Sequence, residues 1–115
     1  MLNSKWLMQT SKKRTPQDFR DQAKVMKALA HPTRMFIVDE LSRGERCVCE
    51  LTDMIGVEMP TVSRHLSILK KAGLVLDDKR GLKIFYQVRV PCCLSFLKCV
   101  ESVLQADEAE ACRAA

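Results

Sequence analysis

A mainly α-helical fold with a small β-hairpin is what this 115-residue chain predicts: a winged helix-turn-helix, dimeric through its first and last helices. Three observations carry that expectation. Residues 59–75, opening Met59-Pro60-Thr61-Val62-Ser63-Arg64-His65, read as a short helix. It has an apolar seam at Val62, Leu66 and Leu69 and an opposite face that rises in positive charge. Just upstream, residues 49–57 read as a second short helix with Leu51, Met54 and Ile55 apolar and Gly56 as its stop. Just downstream, residues 74–76 and 82–88 read as strands around a turn at 77–81. The second strand alternates Leu82, Ile84, Tyr86 and Val88 against Lys83, Phe85 and Gln87.

The remaining elements follow in chain order. Residues 1–15 lack a clean period and carry Lys5, Lys12, Lys13 and Arg14, which reads as a basic, mobile arm. A helix starts at Thr15-Pro16-Gln17-Asp18, with a Thr cap, Pro in first position and an acid in the first turn. Its apolar positions Phe19, Ala23, Met26, Leu29 and Ala30 recur at helical spacing until His31-Pro32 breaks it. A second helix is expected over 33–42, ending in Arg43-Gly44. Pro91 closes the last strand, and a final helix over about 92–106 carries Leu94, Leu97, Val100, Val103 and Leu104. The tail, 107–115, is Ala/Glu-rich and expected to fray, so the domain proper is 16–106. The first and last helices hold more apolar surface than so small a domain covers alone. Pairing them across a two-fold axis buries it and sets two recognition helices one turn of DNA apart.

Composition narrows the function classes. Hydrophobic residues at 47% and charged residues at 29% place the chain among globular proteins, and the net charge of +5 fits a nucleic-acid partner. No apolar run reaches the ~18 residues of a membrane span, and the opening residues lack the apolar core of a secretory signal. A cytoplasmic protein with no membrane partner is expected, in which six cysteines serve as metal ligands or redox groups rather than a disulfide framework. No Cys-x-x-Cys or phosphate-type loop opens a βαβ unit, so an enzyme is not expected.

A helix entering a major groove needs short hydroxyls and cations near its N-terminus. Thr61, Ser63, Arg64 and His65 are therefore the candidates for base edges and nearby phosphates of operator double-stranded DNA. Lys70, Lys71, Lys79, Arg80 and Lys83 are the candidates for phosphates, the last three forming a basic wing.

Three stretches then resemble the ArsR–SmtB family of metal-responsive repressors. They are Ala28-Leu29-Ala30-His31-Pro32-Thr33-Arg34, Glu45-Arg46-Cys47-Val48-Cys49-Glu50-Leu51 and Thr61-Val62-Ser63-Arg64-His65-Leu66. The likeness covers about 19–105. It implies a homodimer seated on an operator and released when an ion or other signal binds, with no organic cofactor.

The cysteines bear on which signal. The family's best-known arsenic site is Cys-Val-Cys-x-x-Cys; Cys47 and Cys49 match, but Thr52 stands in the third place. Trivalent arsenic or antimony wants three soft thiolates, so that site is one ligand short. Relatives that sense cadmium or lead complete such a pair from an N-terminal arm, and residues 1–46 hold no cysteine. Zinc sensors use Asp and His pairs on the last helix, whereas the two histidines here are His31 and His65. Cys92, Cys93 and Cys99 form a Cys-Cys-x5-Cys cluster similar to that of certain arsenite-responsive members, so they are the expected metal site, with Cys47 and Cys49 as the alternative. Arsenite or antimonite is the expected inducer; a thiol redox or persulfide sensor, or a cadmium or lead sensor, of the same fold is the alternative. In one regular helix Cys92 and Cys99 would stand ~10 Å apart along the axis. Either a non-helical turn after Pro91 folds back towards Cys99, or Cys99 comes from the dimer mate. Cys47 and Cys49, two apart, would point to different faces of a regular helix.

Overall fold

Thr15 sets the first element of the computed structural model, which describes the backbone of residues 13–114 and their side chains except Cys93 and 107–114. Most of the expected N-terminal arm lies outside the described residues. The Thr15 N–H donates to the Asp18 carboxylate at 2.8 Å, and Pro16 opens a 3-10 turn, Pro16–Phe19, that runs into helix α1 (Arg20–Leu29). The break at His31-Pro32 is also a restart. His31 is extended, and its Nδ1 accepts the Thr33 N–H at 3.1 Å, capping helix α2 (Pro32–Leu41).

Next comes a strand that the sequence reading missed. Strand β1 (Arg46–Cys47) is two residues long, too short to show a period, and its second residue is the N-cap of helix α3 (Val48–Ile55). Gly56, at φ +81°, ends α3 in the left-handed conformation, and helix α4 (Met59–Lys71) follows. Strands β2 (Val75–Arg80) and β3 (Lys83–Val88) make the hairpin, and β3 lies between β1 and β2 in one antiparallel sheet. Arg46 pairs with Tyr86 and Cys47 with Phe85, which ties the start of α3 to the wing.

Two expectations are corrected. The turn foreseen at 77–81 contracts to Gly81-Leu82, because Arg80 pairs directly with Lys83 and Gly81 takes φ +61°. Asp77, Asp78, Lys79 and Arg80 are polar because β2 projects beyond the core into water after Val75, so their polarity marked exposure and not a loop. The last helix, α5 (Cys93–Ala114), does not stop near 106. Its Ala/Glu-rich end is made of strong helix formers and contains neither Gly nor Pro to halt it.

The core joins α2, α3, α4 and the base of the sheet. Ile37, Val38, Leu51, Val62, Leu66, Leu69 and Val75 are fully buried in it. By contrast, Met26 on α1 and Phe96, Val100, Val103 and Leu104 on α5 remain exposed. Met26, Leu29, Ala30, Met35, Phe96 and Val100 border an apolar hollow of ≈340 Å³ between these helices. No described helix is long and apolar enough to cross a membrane.

Candidate nucleic-acid interface and cysteine sites

Complete burial of Val62, Leu66 and Leu69 fixes the rotation of α4 about its own axis. Ser63, Arg64, Ser67, Lys70 and Lys71 are thereby exposed, with Thr61 half-buried at the edge of that face. Arg64 and Lys71 make no ion pair among the described residues. This is a convex, cationic helix face with short hydroxyls at its start, the shape and chemistry a major groove accepts.

His65 is placed differently from its helix neighbours. It is half-buried against His31, with ring centroids 4.5 Å apart and planes tilted by 44°. Its Nδ1 is buried without a protein partner, as is Nε of nearby Arg34. Burial, then the charges of His31, Arg34 and Arg64, lower its pKa from the ordinary 6.5 and so favour the neutral ring. It braces α4 against the start of α2 and does not belong to the outward stripe.

The wing's cations are only partly free. Arg80 grips both oxygens of Glu45 at 2.5 and 2.9 Å, also bonds Asp78 at 2.8 Å, and stacks over the Phe85 ring at 4.7 Å. Those carboxylates raise its pKa further and neutralise its charge locally. Lys70 likewise donates to Asp77 at 2.8 Å, and that bond raises its pKa. Lys79 and Lys83 remain exposed on the hairpin.

The two cysteine groups differ in geometry. Cys47 is buried and extended; its Sγ accepts the Glu50 N–H at 3.4 Å while the Glu50 carboxylate accepts the Cys47 N–H at 3.1 Å. Because Cys47 lies before the helix and Cys49 within it, the pair does not diverge as a regular helix would require. Their Cα atoms are 5.4 Å apart and the sulfurs form a disulfide. No sequence spacing signals this; the signal is the N-cap conformation of Cys47. Thr52, in the third place of the pattern, is turned away, its hydroxyl donating to the Val48 carbonyl at 2.8 Å. Beside the pair lies a cavity of ≈410 Å³, walled by Met59 and Ser63 of α4 and by Leu82, Lys83 and Ile84 of the wing.

Cys92 and Cys99 are both exposed. Cys92 ends the turn after Pro91, its carbonyl accepting the Ser95 and Phe96 N–H groups, and the helix begins directly after it. The chain does not fold back. Cys99 lies ~9 Å along α5 from its first residue, and Cys92 sits just before that residue. Among the described residues no three His, Cys, Asp or Glu side chains converge on a point.

Residues 31–76, from the start of α2 through the first residues of β2, match the family described as bacterial regulatory protein, arsR family. The HTH-type transcriptional repressor SmtB of Mycobacterium tuberculosis is 42% identical over 74 residues, 64% of this chain and 55% of that protein. The arsenical resistance operon repressor of Escherichia coli is 43% identical over 65 residues, 56% of each. This chain's match thus spans about half the length of both. The solution structure of a homodimeric winged helix-turn-helix DNA-binding domain from Mycobacterium bovis, a possible ArsR-family regulator, superposes with a TM-score of 0.69. It is 30% identical, over 82% of this chain and 87% of that one.

Proposed function

The chain belongs to the arsR family of bacterial regulatory proteins, and on that premise we propose a cytoplasmic, homodimeric transcriptional repressor that soft thiophilic ions release from operator DNA. The observation that carries the DNA-binding part is the face of α4. Its apolar seam is wholly buried, so Ser63, Arg64 and Lys71 are presented outward on a rigid support. Thr61, Lys79 and Lys83 extend that surface. Dimerisation rests on the apolar hollow between α1 and α5 and on the exposed Val103 and Leu104 beyond it. Covering them with a second copy removes from water apolar surface that the core leaves uncovered.

Arsenite or antimonite, held by Cys92, Cys93 and Cys99, is the proposed inducer, and the helical run from Cys93 to Cys99 supports a site shared between protomers. Exposed Cys99 lies three residues past Phe96 on the helix that supplies the proposed dimer face, and exposed Cys92 lies in the turn just before that helix. An ion pulling thiolates of two chains together would alter the distance between the two α4 helices. A modest coupling of ~1–3 kcal/mol is enough to release DNA. A second reading, a thiol-redox repressor, is favoured by one observation, the Cys47–Cys49 disulfide.

Fluorescence anisotropy of the complex with its own promoter DNA, titrated with arsenite, antimonite, cadmium, lead, zinc and peroxide, separates these readings. Release by arsenite or antimonite that disappears in Cys92→Ser, Cys93→Ser and Cys99→Ser is the expected result. Release by peroxide alone, lost in Cys47→Ser, would establish the redox reading instead.

A further inference from the structure

We infer that Leu82, at the tip of the wing, is a specificity-determining apolar wedge for operator DNA. It enters the minor groove next to the major groove that α4 occupies and opens one base step. That role rests on the operator-binding reading and adds to it a signal carried by the deformability of the DNA.

A row of apolar side chains runs out of the core along one face of β3. Tyr86 and Ile84, two positions apart, share that face; Tyr86 is buried at its inner end and Ile84 is already exposed. Leu82, two residues further on, sits in the turn that the Arg80–Lys83 pair closes, and it is fully exposed. None of the exposed large apolar side chains among the described residues is more open to water. A leucine so placed adds nothing to the core, and a tight turn beside Gly81 is ordinarily the place of polar residues.

Its surroundings select nucleic acid over protein as the partner. Exposed Lys79 and Lys83 stand on the two strands behind the turn, with Arg80 beside them. Lysine is depleted from protein–protein interfaces, whereas a polyanion selects it. The cavity of ≈410 Å³ has Met59 and Ser63 of α4 on one side and Leu82, Lys83 and Ile84 of the wing on the other. With α4 in the major groove, the sugar–phosphate ridge is what lies between helix and wing. Ser63 and Lys83 then offer donors to its phosphates, while Met59 and Ile84 offer apolar contact to its sugars. A side chain reaching past that ridge meets the adjoining minor groove. Leucine cannot read a base edge there, because it neither donates nor accepts a hydrogen bond. What it reads is the cost of unstacking: steps such as TA and CA kink readily, and apolar wedges exploit them. At G·C pairs the guanine amino group stands in the groove and obstructs entry.

The test uses the full chain and its own promoter DNA. Hydroxyl-radical footprinting first locates the protected minor-groove segment beside the α4 contact. Energy transfer between dyes at the two duplex ends then reports bending. Wild-type protein should bend the duplex by tens of degrees. Leu82→Ala should remove most of that bend and weaken binding about tenfold, whereas Leu82→Met, still long and apolar, should keep both. The salt dependence of Leu82→Ala should equal that of wild type, which distinguishes a lost wedge from a lost phosphate contact. Placing G·C pairs instead of a TA step in the segment should weaken wild type and spare Leu82→Ala. Inosine in place of guanine, which removes the minor-groove amino group, should restore wild-type binding. A duplex that stays straight, or a Leu82→Ala protein that bends and discriminates as wild type does, overturns the wedge and leaves α4 as the reading helix. A wild-type protein with no preference for promoter over unrelated DNA overturns the operator-binding reading itself, and the wedge with it.

Discussion

Helix α4 and the wing carry three cations each, yet they hold their charge in opposite ways. On α4 the cations Arg64 and Lys71 make no ion pair among the described residues, on a helix whose other side is locked into the core. On the wing, Arg80 is shared between Glu45 and Asp78 and pressed onto Phe85, and Asp77 reaches across to neutralise Lys70. What reaches phosphate is the charge left after internal pairing. In the proposed operator complex α4 would then supply recognition and the wing two lysines, Lys79 and Lys83, at its far end.

The sharpest way to break this comparison is through the supports. Leu66→Ala opens a hole beneath α4 and should cost ~2–5 kcal/mol of folding stability, read by chemical denaturation. Leu82→Ala on the wing shortens a fully exposed side chain and should leave the denaturation midpoint unmoved. Next in size is Arg64→Ala, which should weaken operator binding by ~1–3 kcal/mol, a bidentate base contact, while leaving the dimer intact. Gel shifts equal to wild type would mean that α4 is not the reading helix.

Smaller effects probe the wing. Lys79→Ala and Lys83→Ala should each flatten the salt dependence of binding by about one ion, on every DNA sequence alike. Arg80→Ala should change that slope less than either lysine, because its charge is already answered by Glu45 and Asp78. Glu45→Gln releases the guanidinium and should tighten binding a few-fold while steepening the slope. If Arg80→Ala costs as much as Lys79→Ala, the clamp opens on DNA and the contrast drawn here is lost.

The least effect expected is in pH. The pKa of His65 is lowered chiefly by burial, so between that value and 6.5 the unfolded chain binds more protons than the folded one. Stability is then level above this range and declines as pH falls through it. His65→Gln should make the decline shallower in denaturation series between about pH 5 and 7. An identical slope in the variant would mean that the histidine stack plays no part.

The contrast between α4 and the wing also explains what the sequence could reveal. Val62, Leu66 and Leu69 were legible because each position on an amphipathic helix meets either core or water, and spacing alone tells which. The start of α2 and the Gly56 stop were legible for the same local reason. Arg80 was not, because the residue that neutralises it lies 35 positions away and no periodic pattern relates the two. His65 was read as outward because polarity was taken for exposure, whereas its ring leans on another histidine. The meeting of Cys47 with Cys49 depended on β1, whose two residues pair with a strand nearly forty positions later. Features fixed by a neighbour in sequence were readable, and those fixed by a neighbour in space were not.

One further consequence follows from the order of the strands. With β3 in the middle, β2 is an edge, and its outer row of N–H and C=O groups is open to any strand that arrives. The run Asp77-Asp78-Lys79-Arg80 lies along that edge. A second wing pairing there would have to strip water from each of these charges and, if it arrived parallel and in register, would also set like charges side by side. The charged run therefore guards the open edge against strand addition by neighbouring molecules.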